Sequence, residues 1–326
     1  MNLDGFCYRL RPVKRTDAQF IIDIRLEDAE RNRFIHSISP NINEQKVWLE
    51  RYFDRDGDFY FVIENRITGK REGLIAFYNE KNGKAEWGRW ILKKGSLSAA
   101  ESVYLLYRIA FEQVGLQELY CRTIVDNTAT VSFHNEINEL TKTIYHQNVE
   151  LDGIFYDTIE HYSDSQHFYE MVAPILERQS KMVWRRQLKQ TFGGYSFHHI
   201  GVATKKIEKE LPIFTLLGYE REKDIFEDRI QGIRGQFMTG KNRPRLELLE
   251  NLSESHTLNK QIEQNHKLYH IAYCVGNIEK AVDVFVRNRA KVISPMKIST
   301  FFGRRICFLI LPNMLMIELI EYGESE

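Results

Sequence analysis

Hydrophobic residues in the first half of the chain change period several times, and these changes predict strands and helices in alternation. Alternating or continuous apolar runs predict strands at FYFVIEN (59–65), REGLIAFYNE (71–80) and KAEWGRWIL (84–92). Apolar residues then recur every three or four positions from Ser98, which predicts a helix that stops at Gly115. The strand LQELYCRTIVD and the helix TATVSFHNEI follow. The pattern therefore indicates a chain of mixed α and β structure.

The second half of the chain contains one pattern twice. Aligning FHHIGVATKKIEKEL with LYHIAYCVGNIEKAV places His199 on His270, a shift of 71 residues. The same shift brings Glu247 in LELLE onto Glu318 in IELIE. Each copy has the pattern of a strand, a helix and three further strands, so the repeat predicts two βαβββ modules. We expect each module to form a curved sheet, and the two sheets to close face to face into a half-barrel.

Histidines and glutamates at matched repeat positions are residue types that bind metals. One His from the first strand and one Glu from the last strand of each module would supply two nitrogen and two oxygen donors. That set suits an octahedral ion with water in the remaining positions, rather than a closed structural zinc site. The spacing therefore predicts a site for a divalent metal such as zinc, cobalt, nickel or manganese. The alternative is a repeat kept for its structure alone.

Length and composition indicate the number of domains, the class of partner and the cellular compartment. A chain of 326 residues favours two domains, and a basic segment ending at Gly193 and Gly194 separates the two patterns. We expect a first domain at 1–185, a linker at 186–194 and a second domain at 195–326. The 45 basic and 45 acidic residues balance, so neither nucleic acid nor a membrane surface is an expected partner. Four scattered cysteines and the lack of a long apolar run suggest a cytoplasmic protein.

The N-terminal half resembles the GNAT acyltransferase superfamily from about residue 7 to about residue 175. The opening YRLRPVKRTDAQFIIDIR and the strand AEWGRWI are similar to two branches of that superfamily. One branch acetylates the 4-amino group of nucleotide-linked deoxyamino sugars, and the other acetylates ribosomal-protein alanine. The resemblance implies a GNAT α/β fold, acetyl-CoA or another acyl-CoA as cofactor, and an amine acceptor such as a nucleotide amino sugar.

The loop KKGSLSAAES is similar to the loop that binds coenzyme A in this family. Small residues ahead of a helix leave backbone N–H groups free to bind a pyrophosphate. The contacts that the resemblance implies are Leu92, Lys94, Gly95, Ser96, Ser98, Ala99 and Ala100, with Asn127 beside the pantetheine arm. His134 takes the place of a Tyr that protonates the departing thiolate, a role that imidazole suits. The alternative for His134 is a partly exposed histidine on a helix.

The C-terminal half resembles the vicinal oxygen chelate superfamily over residues 195–322, methylmalonyl-CoA epimerase in particular and glyoxalase less closely. HHIGVATKKIEKELPIFTLLGYE and HKLYHIAYCVGNIEKAV are the similar segments. The resemblance implies that the metal ligands are His199, Glu247, His270 and Glu318. His198, one residue before a ligand, is expected to face the opposite side of its strand.

Such a metal site stabilises an enolate or enediolate and lowers the pKa of the neighbouring C–H group. In the epimerase one base is a Glu near the place of Gly235, where this chain has no carboxylate. Glu227 and Asp228 lie shortly before that place. Glu247 or Glu318 would then act as the base by loosening from the metal.

Together these resemblances imply an α+β protein in which an N-acyltransferase is fused to a metal-dependent epimerase or isomerase. The expected partners are small molecules, an amine or amino-sugar acceptor and an acyl thioester. An acyl carrier protein as the acyl donor and a homodimer as the assembly stay open. In one alternative, only the metal domain is catalytic and the GNAT half is a binding module. In another, the protein binds a small molecule through the metal without turning it over.

Overall fold

The computed structural model describes residues 1–322, the side chain of Lys142 excepted, so the last four residues of the predicted second domain lie outside the described part. The chain divides into two compact units, residues 1–185 and 186–326. Both units combine helices with a sheet, which confirms the α+β class. Where the functional domains begin and end stays a prediction.

An eight-stranded sheet forms the frame of the first unit, in the order β1-β2-β3-β4-β5-β6-β8-β7. Its strands are β1 (Leu3–Asp4), β2 (Tyr8–Pro12), β3 (Phe59–Asn65), β4 (Arg71–Lys81), β5 (Lys84–Leu92), β6 (Glu118–Ile124), β7 (Leu140–Leu151) and β8 (Ile154–Asp164). Its helices are α1 (Ala18–Leu26), α2 (Ile42–Phe53), α3 (Ala99–Arg108), α4 (Thr128–Glu136), α5 (Ser165–His167) and α6 (Ala173–Phe192), the last continuing into the second unit.

The predicted elements of this unit are confirmed. Two of the predicted strands coincide with β3 and β5, and the helix predicted from Ser98 begins as α3 at the next residue. A π-helical turn, Ile109–Val114, extends α3. Gly115 ends it with a φ of 81°, a left-handed conformation that glycine adopts without steric cost.

A wedge opens between β5 and β6, which run parallel to each other. Their register extends only from the pair Lys84–Glu118 to the pair Glu86–Tyr120. On its other side β5 slips by one residue against β4, and Arg89 within the slip has a φ of 45°. Such a bulge bends a strand and leaves its extra residue outside the ladder. The bend carries β5 away from β6 and leaves space between them for a ligand.

A nine-stranded sheet forms the frame of the second unit, in the order β10-β12-β13-β9-β14-β17-β16-β15 with β11 paired to β12. The first module comprises β9 (Tyr195–Ala203), α7 (Ile207–Leu216), β10 (Glu220–Arg221), β11 (Phe226–Asp228), β12 (Ile233–Thr239) and β13 (Leu246–Asn251). After α8 (Asn259–Glu263), the second comprises β14 (Leu268–Val275), α9 (Ile278–Arg287), β15 (Lys291–Ile298), β16 (Arg305–Ile310) and β17 (Met316–Glu321).

The two βαβββ modules are therefore present, but the expectation of two separate sheets that close face to face was wrong. The first strands of the modules, β9 and β14, pair antiparallel and join both modules into one sheet. Each first strand also pairs in parallel with the last strand of its own module. All four strands that carry the predicted metal ligands thus lie side by side at the centre of the sheet.

The segment predicted as a linker is helical as far as Phe192, where α6 ends. Gly193 and Gly194 follow with φ values of 80° and 78°. A Cβ atom on Gly193 would lie 2.9 Å from the Cα atom of Gly276, so this close approach requires glycine. Across residues 1–322, none of the helices is both long enough and apolar enough to span a bilayer.

Candidate functional sites

All four predicted metal ligands meet in the second unit, and each side chain is at least nine-tenths buried. The Nε2 atom of His199 lies 3.0 Å from the Nε2 atom of His270 and 3.0 Å from a carboxylate oxygen of Glu247. His270 Nε2 lies 3.3 Å from a carboxylate oxygen of Glu318. Two donors that each lie about 2.1 Å from one ion at a right angle are ~3.0 Å apart. The four side chains therefore fit the coordination shell of a single divalent ion.

The strand register explains why they meet. In the β9–β14 pair, His199 lies opposite Ala272 and Gly201 lies opposite His270, so the register is symmetric about the repeat. Glu247 is paired with Gly201, and Glu318 is paired with Ala272. Each glutamate thus lies in the same row across the sheet as the histidine of the other module, and its carboxylate lies within 3.7 Å of the Nε2 atoms of both histidines. The site needs one half from each copy.

His198 does not face away from His199, so that expectation was wrong. Phe197 pairs with Tyr273 and His199 pairs with Ala272, which leaves His198 as the extra residue of a β-bulge. A bulge breaks the alternation of side chains between the two faces of a strand. The Nδ1 atoms of His198 and His199 lie 2.7 Å apart, so one donates a hydrogen bond to the other.

His198 in turn connects the site to a polar chain. Arg245 Nη1 lies 2.9 Å from His198 Nε2, and Arg245 Nε and Nη2 donate to Glu222. Burial, and then the nearby His199 and Arg245, lower the pKa of His198 to about 4, so its ring is neutral, and its Nδ1 can accept the Nδ1–H of a His199 that binds an ion through Nε2. A hydrogen bond to the second nitrogen of a ligand histidine fixes the orientation of its ring.

Protonation of the four side chains also suits a metal. Burial and the neighbouring His270 lower the pKa of His199 to about 3, so its imidazole is neutral at pH 7, as metal binding requires. Burial raises the pKa of Glu247 to about 7. A buried carboxylate with this pKa is stabilised as an anion when a cation binds next to it.

Little open space adjoins the four side chains. A cavity of about 10 Å³ is lined by Glu247, His270 and Glu318 among others, which is room for one water molecule at most. Beside His199, the ring of Phe237 also covers the cluster, with its centroid 5.3 Å from the centroid of the His199 ring. A substrate that chelates the ion would therefore have to displace part of this wall.

None of the positions considered for a second base holds a carboxylate without other contacts. A Cβ atom on Gly235 would lie 2.4 Å from the ring of Phe226, so that ring covers the place of the epimerase Glu. Asp228 is buried and accepts hydrogen bonds from Gln231, Ser299 and Thr300. Burial acts to raise the Asp228 pKa, but these bonds together lower it. Glu227 is half exposed, and its carboxylate lies 3.9 Å from the Arg229 guanidinium. Glu247 and Glu318 are left as the candidate bases.

Gly201 gives a direct test of the geometry. A Cβ atom at this position would lie 2.3 Å from His270 Cε1, so Gly201→Ala should push the ring off the backbone. We expect metal affinity to fall by about ten- to a hundred-fold, the scale seen when the support of a ligand is disturbed. Ala272→Gly, the equivalent position in the second copy, only removes a methyl group and should keep the metal. Calorimetric zinc titration that found equal affinity in both variants would contradict the placement of His270.

In the first unit the wedge between β5 and β6 opens into a cavity of about 630 Å³. Aromatic and arginine side chains make up much of its wall. The lining includes Arg25, Trp48, Arg55, Tyr60, Tyr78, Glu86, Trp87, Gly88, Arg89, Trp90, Cys121, Arg122, Asn127 and His134. Two residues of the predicted acyltransferase site, Asn127 and His134, thus share one cavity. A space of this volume is typical of a small-molecule site.

His134 is not the partly exposed histidine of the alternative interpretation, since only 1% of its surface is accessible. Its Nε2 atom lies 3.4 Å from Cys121 Sγ, and its Nδ1 atom makes a short hydrogen bond to the Glu139 carboxylate. Burial acts to lower the His134 pKa, but Cys121 and Glu139 raise it to about 10. The ion pair with the Glu139 carboxylate favours the protonated form of His134, which has a proton to donate.

Two residues at this site were not singled out in the sequence: Glu139, which binds His134 but is not among the residues that line the cavity, and Glu86, which lines it. Glu139 lies in the segment INELTK after α4, and Tyr107 also donates to its carboxylate. Glu86 lies in a predicted strand and lines the cavity, and burial raises its pKa. A half-buried carboxyl group with a raised pKa beside a ligand space is a candidate general base. Only the through-space arrangement reveals either residue.

The predicted coenzyme A loop, from Leu92 to Ala100, connects β5 to α3. Gly95 has a φ of 79°, Ser96 donates a hydrogen bond to Glu72, and its hydroxyl lies 2.8 Å from that of Ser98. Ser98 is the N-cap of α3 but makes no side-chain cap hydrogen bond. The Ser98 side chain thus leaves the first N–H groups of α3 uncapped. A phosphate can bind at a helix start only when these groups are available. Asn127 caps α4 by accepting a bond from the Thr130 N–H group.

Two family models match the chain, one within each of the two compact units. Residues 8–137 match the family model described as acetyltransferase (GNAT) domain. Residues 198–308 match the family described as the glyoxalase/bleomycin resistance protein/dioxygenase superfamily. No curated protein matches the chain.

Solved structures that are similar include a nucleotide-linked sugar GNAT, at 24% identity, 52% coverage of this chain, 93% coverage of that chain and a TM-score of 0.45. The spermidine N-acetyltransferase of Vibrio cholerae gives 18% identity, 51% and 98% coverage and a TM-score of 0.46. A GCN5-related N-acetyltransferase from Brucella melitensis gives 18% identity, 57% coverage of this chain, 86% coverage of that chain and a TM-score of 0.48. On the two family matches, the chain carries a GNAT acetyltransferase domain at residues 8–137 and a vicinal oxygen chelate domain of the glyoxalase type at residues 198–308.

Proposed function

We propose that the chain is a bifunctional enzyme. Its N-terminal domain transfers an acyl group from acetyl-CoA or another acyl-CoA to an amine, and its C-terminal domain uses a divalent metal to isomerise or epimerise a second substrate. The observation that carries the first part is the cavity at the wedge between β5 and β6, where His134 and Asn127 meet. The four-residue cluster of the C-terminal domain carries the second part.

The lining of the N-terminal cavity favours an amine acceptor that also bears phosphate groups. Four arginines line it, Arg25, Arg55, Arg89 and Arg122, and Glu86 is the one carboxylate among the lining residues. Arg55 and Arg89 are also paired with Asp58, and Arg122 with Glu160, two carboxylates that do not line the cavity. Arginine with aromatic rings suits a nucleotide, which offers phosphates and a base to stack, better than a polyamine. This supports a nucleotide-linked amino sugar as the acceptor.

In this reaction the acyl carbonyl is attacked by the amine while the bond to the coenzyme A sulfur breaks. His134 would supply a proton to the departing sulfur, since its imidazolium faces the cavity. Glu86 would take a proton from the amine. Arg25 and Arg55 would orient the phosphates of the acceptor.

Binding of the acyl donor tests the first part. We expect coenzyme A to bind the N-terminal domain with an affinity that falls as salt rises, because phosphate contacts at Lys94 and the start of α3 are electrostatic. Calorimetry at several salt concentrations measures this, and an assay of free thiol release compares a nucleotide-linked 4-amino sugar with spermidine. No binding at millimolar coenzyme A would leave this domain a scaffold or binding module, and only the metal domain would then be catalytic.

In the C-terminal domain a bound ion would supply Lewis-acid stabilisation of a developing oxyanion. Glu247 or Glu318 would accept the proton from the carbon next to that oxygen. The lack of a carboxylate near Gly235 restricts proton transfer to the side of these two residues. Methylmalonyl-CoA epimerase-like activity on an acyl thioester is one form of this chemistry, and isomerisation of a keto sugar is another.

We expect the metal-loaded protein to exchange the α-proton of its substrate with solvent. Candidate 2-substituted acyl thioesters and nucleotide keto sugars would be incubated in deuterated water and analysed by mass spectrometry. Exchange that requires both the metal and Glu318 supports the enolate chemistry.

A second candidate function is metal-dependent binding without turnover. The observation that favours it is that the Phe226 ring covers the place of the epimerase Glu at Gly235, so that no carboxylate stands there to serve as a second base. Tight binding of a substrate without proton exchange would decide for this candidate over the epimerase or isomerase.

A further inference from the structure

The loop that joins β15 to β16, residues 299–304, meets the end of β11, and we call it the seam loop. The buried carboxylate of Asp228 accepts a hydrogen bond from the Ser299 hydroxyl at 3.1 Å and another from the Thr300 N–H group at 3.0 Å. The Thr300 hydroxyl adds a longer bond of 3.3 Å. Because β11, beside β12, and β15 lie at opposite ends of the nine-stranded sheet, the sheet curls until its two ends meet at this contact.

The repeat places this contact on the same axis as the metal cluster. Asp228 and Ser299 differ by 71 residues, the shift that relates the two modules. His199 and His270 differ by the same shift, and their Nε2 atoms also touch. Equivalent residues of a two-fold repeat can touch only close to the axis that relates them. That axis passes between β9 and β14, so the contact at Asp228 faces the cluster from the open side of the curled sheet.

Aromatic rings of the seam loop fill the space beside the cluster. The Phe301 ring stacks on Phe226, with centroids 3.9 Å apart, and its centroid lies 5.2 Å from that of Phe237. Phe237 is the ring that covers His199. The Phe302 ring lies near His199 as well, with centroids 6.3 Å apart. The loop thus covers one side of the cluster, and the cavity on the other side holds one water molecule at most.

The seam loop is built so that it can swing while the strands on either side of it stay paired. Its ends bond to each other, because the Ser299 N–H group donates to the Arg304 carbonyl and the Gly303 N–H group donates to the Ser299 carbonyl. Gly303 has a φ of 62°, and a Cβ atom there would meet no atom within 4 Å. Rotation at these ends moves Phe301 and leaves the β15–β16 ladder in place.

We propose that the seam loop is a gate over the metal site. It closes the site in the free protein, and a chelating substrate reaches the ion after Asp228 releases Ser299 and Thr300 and Phe301 leaves its stack. Asp228 is a positioning residue in this scheme, since it acts on the site only through the loop. The inference rests on the proposed metal-binding function of the C-terminal domain. It makes opening of the loop the slow step of substrate entry.

Hydrogen exchange of the metal-free, full-length chain tests whether the contact holds the loop. Ser299→Ala combined with Thr300→Val removes both hydroxyl donors and keeps the bonds from Gln231 to Asp228. We expect the amides of the seam loop to exchange about ten-fold faster or more, as the loss of two hydrogen bonds implies, while β14 keeps its protection. Thr191→Val, which removes a hydroxyl that bonds within α6, should leave the loop as protected as in the unmodified chain. Equal protection of the loop in the double variant overturns the gate.

Entry of a small chelator measures the gate directly. Acetohydroxamate offers two neighbouring oxygens, and its binding to cobalt(II)-loaded protein would be followed by stopped-flow visible absorption. We expect the observed rate to level off as the hydroxamate concentration rises, because loop opening limits entry. Phe301→Ala, which keeps the hydrogen bonds of the loop but removes its stacked ring, should raise this limiting rate by about ten-fold or more.

A matched variant and the cobalt content separate the outcomes. Phe214→Ala removes a ring that packs on Tyr219, outside the cluster, and should keep the rate of the unmodified chain. Equal rates in Phe301→Ala and in the unmodified chain, with cobalt bound in both, overturn the gate alone. Failure of the unmodified chain to bind cobalt overturns the metal site and the gate with it.

Discussion

Replacing His270 or Glu318 with alanine should remove the divalent metal from the C-terminal domain and leave its fold in place. Either change deletes a donor from a set in which the donor atoms lie within 4.8 Å of one another. We expect metal affinity to fall by more than ~10²-fold, since even the loss of a supporting residue costs ten- to a hundred-fold. Elemental analysis after dialysis against a weak chelator measures this, and circular dichroism checks the fold.

His266→Ala is the matched control for this pair of variants. His266 is an exposed histidine in the loop just before β14, four residues from His270 and outside the cluster. It should retain the metal content of the unmodified chain. Undiminished metal in both His270→Ala and Glu318→Ala would show that the ion binds elsewhere.

In the N-terminal domain we expect His134→Gln to lower turnover by ~10²-fold or more, the usual scale for general acid–base catalysis. Glutamine keeps an N–H group for Glu139 but cannot donate a proton to sulfur. Phenylalanine is the less informative change, because it would leave the Glu139 carboxylate buried without a partner, at a cost of about 3–5 kcal/mol in stability. Steady-state kinetics with coenzyme A affinity measured in parallel separates catalysis from binding.

His146→Gln controls for the loss of a histidine elsewhere in the same domain. His146 is exposed and paired with Asp157 at 2.8 Å. Full activity in His134→Gln would mean that another group or water protonates the thiolate. Lost activity with lost coenzyme A affinity would instead indicate a structural role.

The sequence predicted the metal cluster because repetition in sequence becomes repetition in strand register. A constant shift between His199 and His270 and between Glu247 and Glu318 places equivalent residues at equivalent positions of paired strands. The spacing of the repeat does not reveal where the pairing of two strands shifts by one residue. The bulge that turns His198 toward His199 depends on pairing with Tyr273 and Ala272, which no local pattern records.

Only part of the N-terminal site was predictable from the sequence. His134 and Asn127 followed from similarity to a family motif, and helix periodicity set the limits of α3. Cys121 and Glu139 come from a strand and from the turn after a helix, and they meet His134 only because β6 leaves β5 at that point. Long-range contacts of this kind depend on how strands diverge, and residue patterns along one strand do not encode the divergence.

Fusion of the two modules frees them from being identical. Two separate copies of one module would form a site whose halves must match, because each change in the sequence appears twice. In the single chain, His198 precedes one ligand histidine and Tyr269 the other, and Gly201 in one copy corresponds to Ala272 in the other. The two sides of the ion thus differ in chemistry although the backbone frame is nearly symmetric. A chelating molecule with two unlike oxygen atoms is therefore offered two unlike positions and has one preferred orientation.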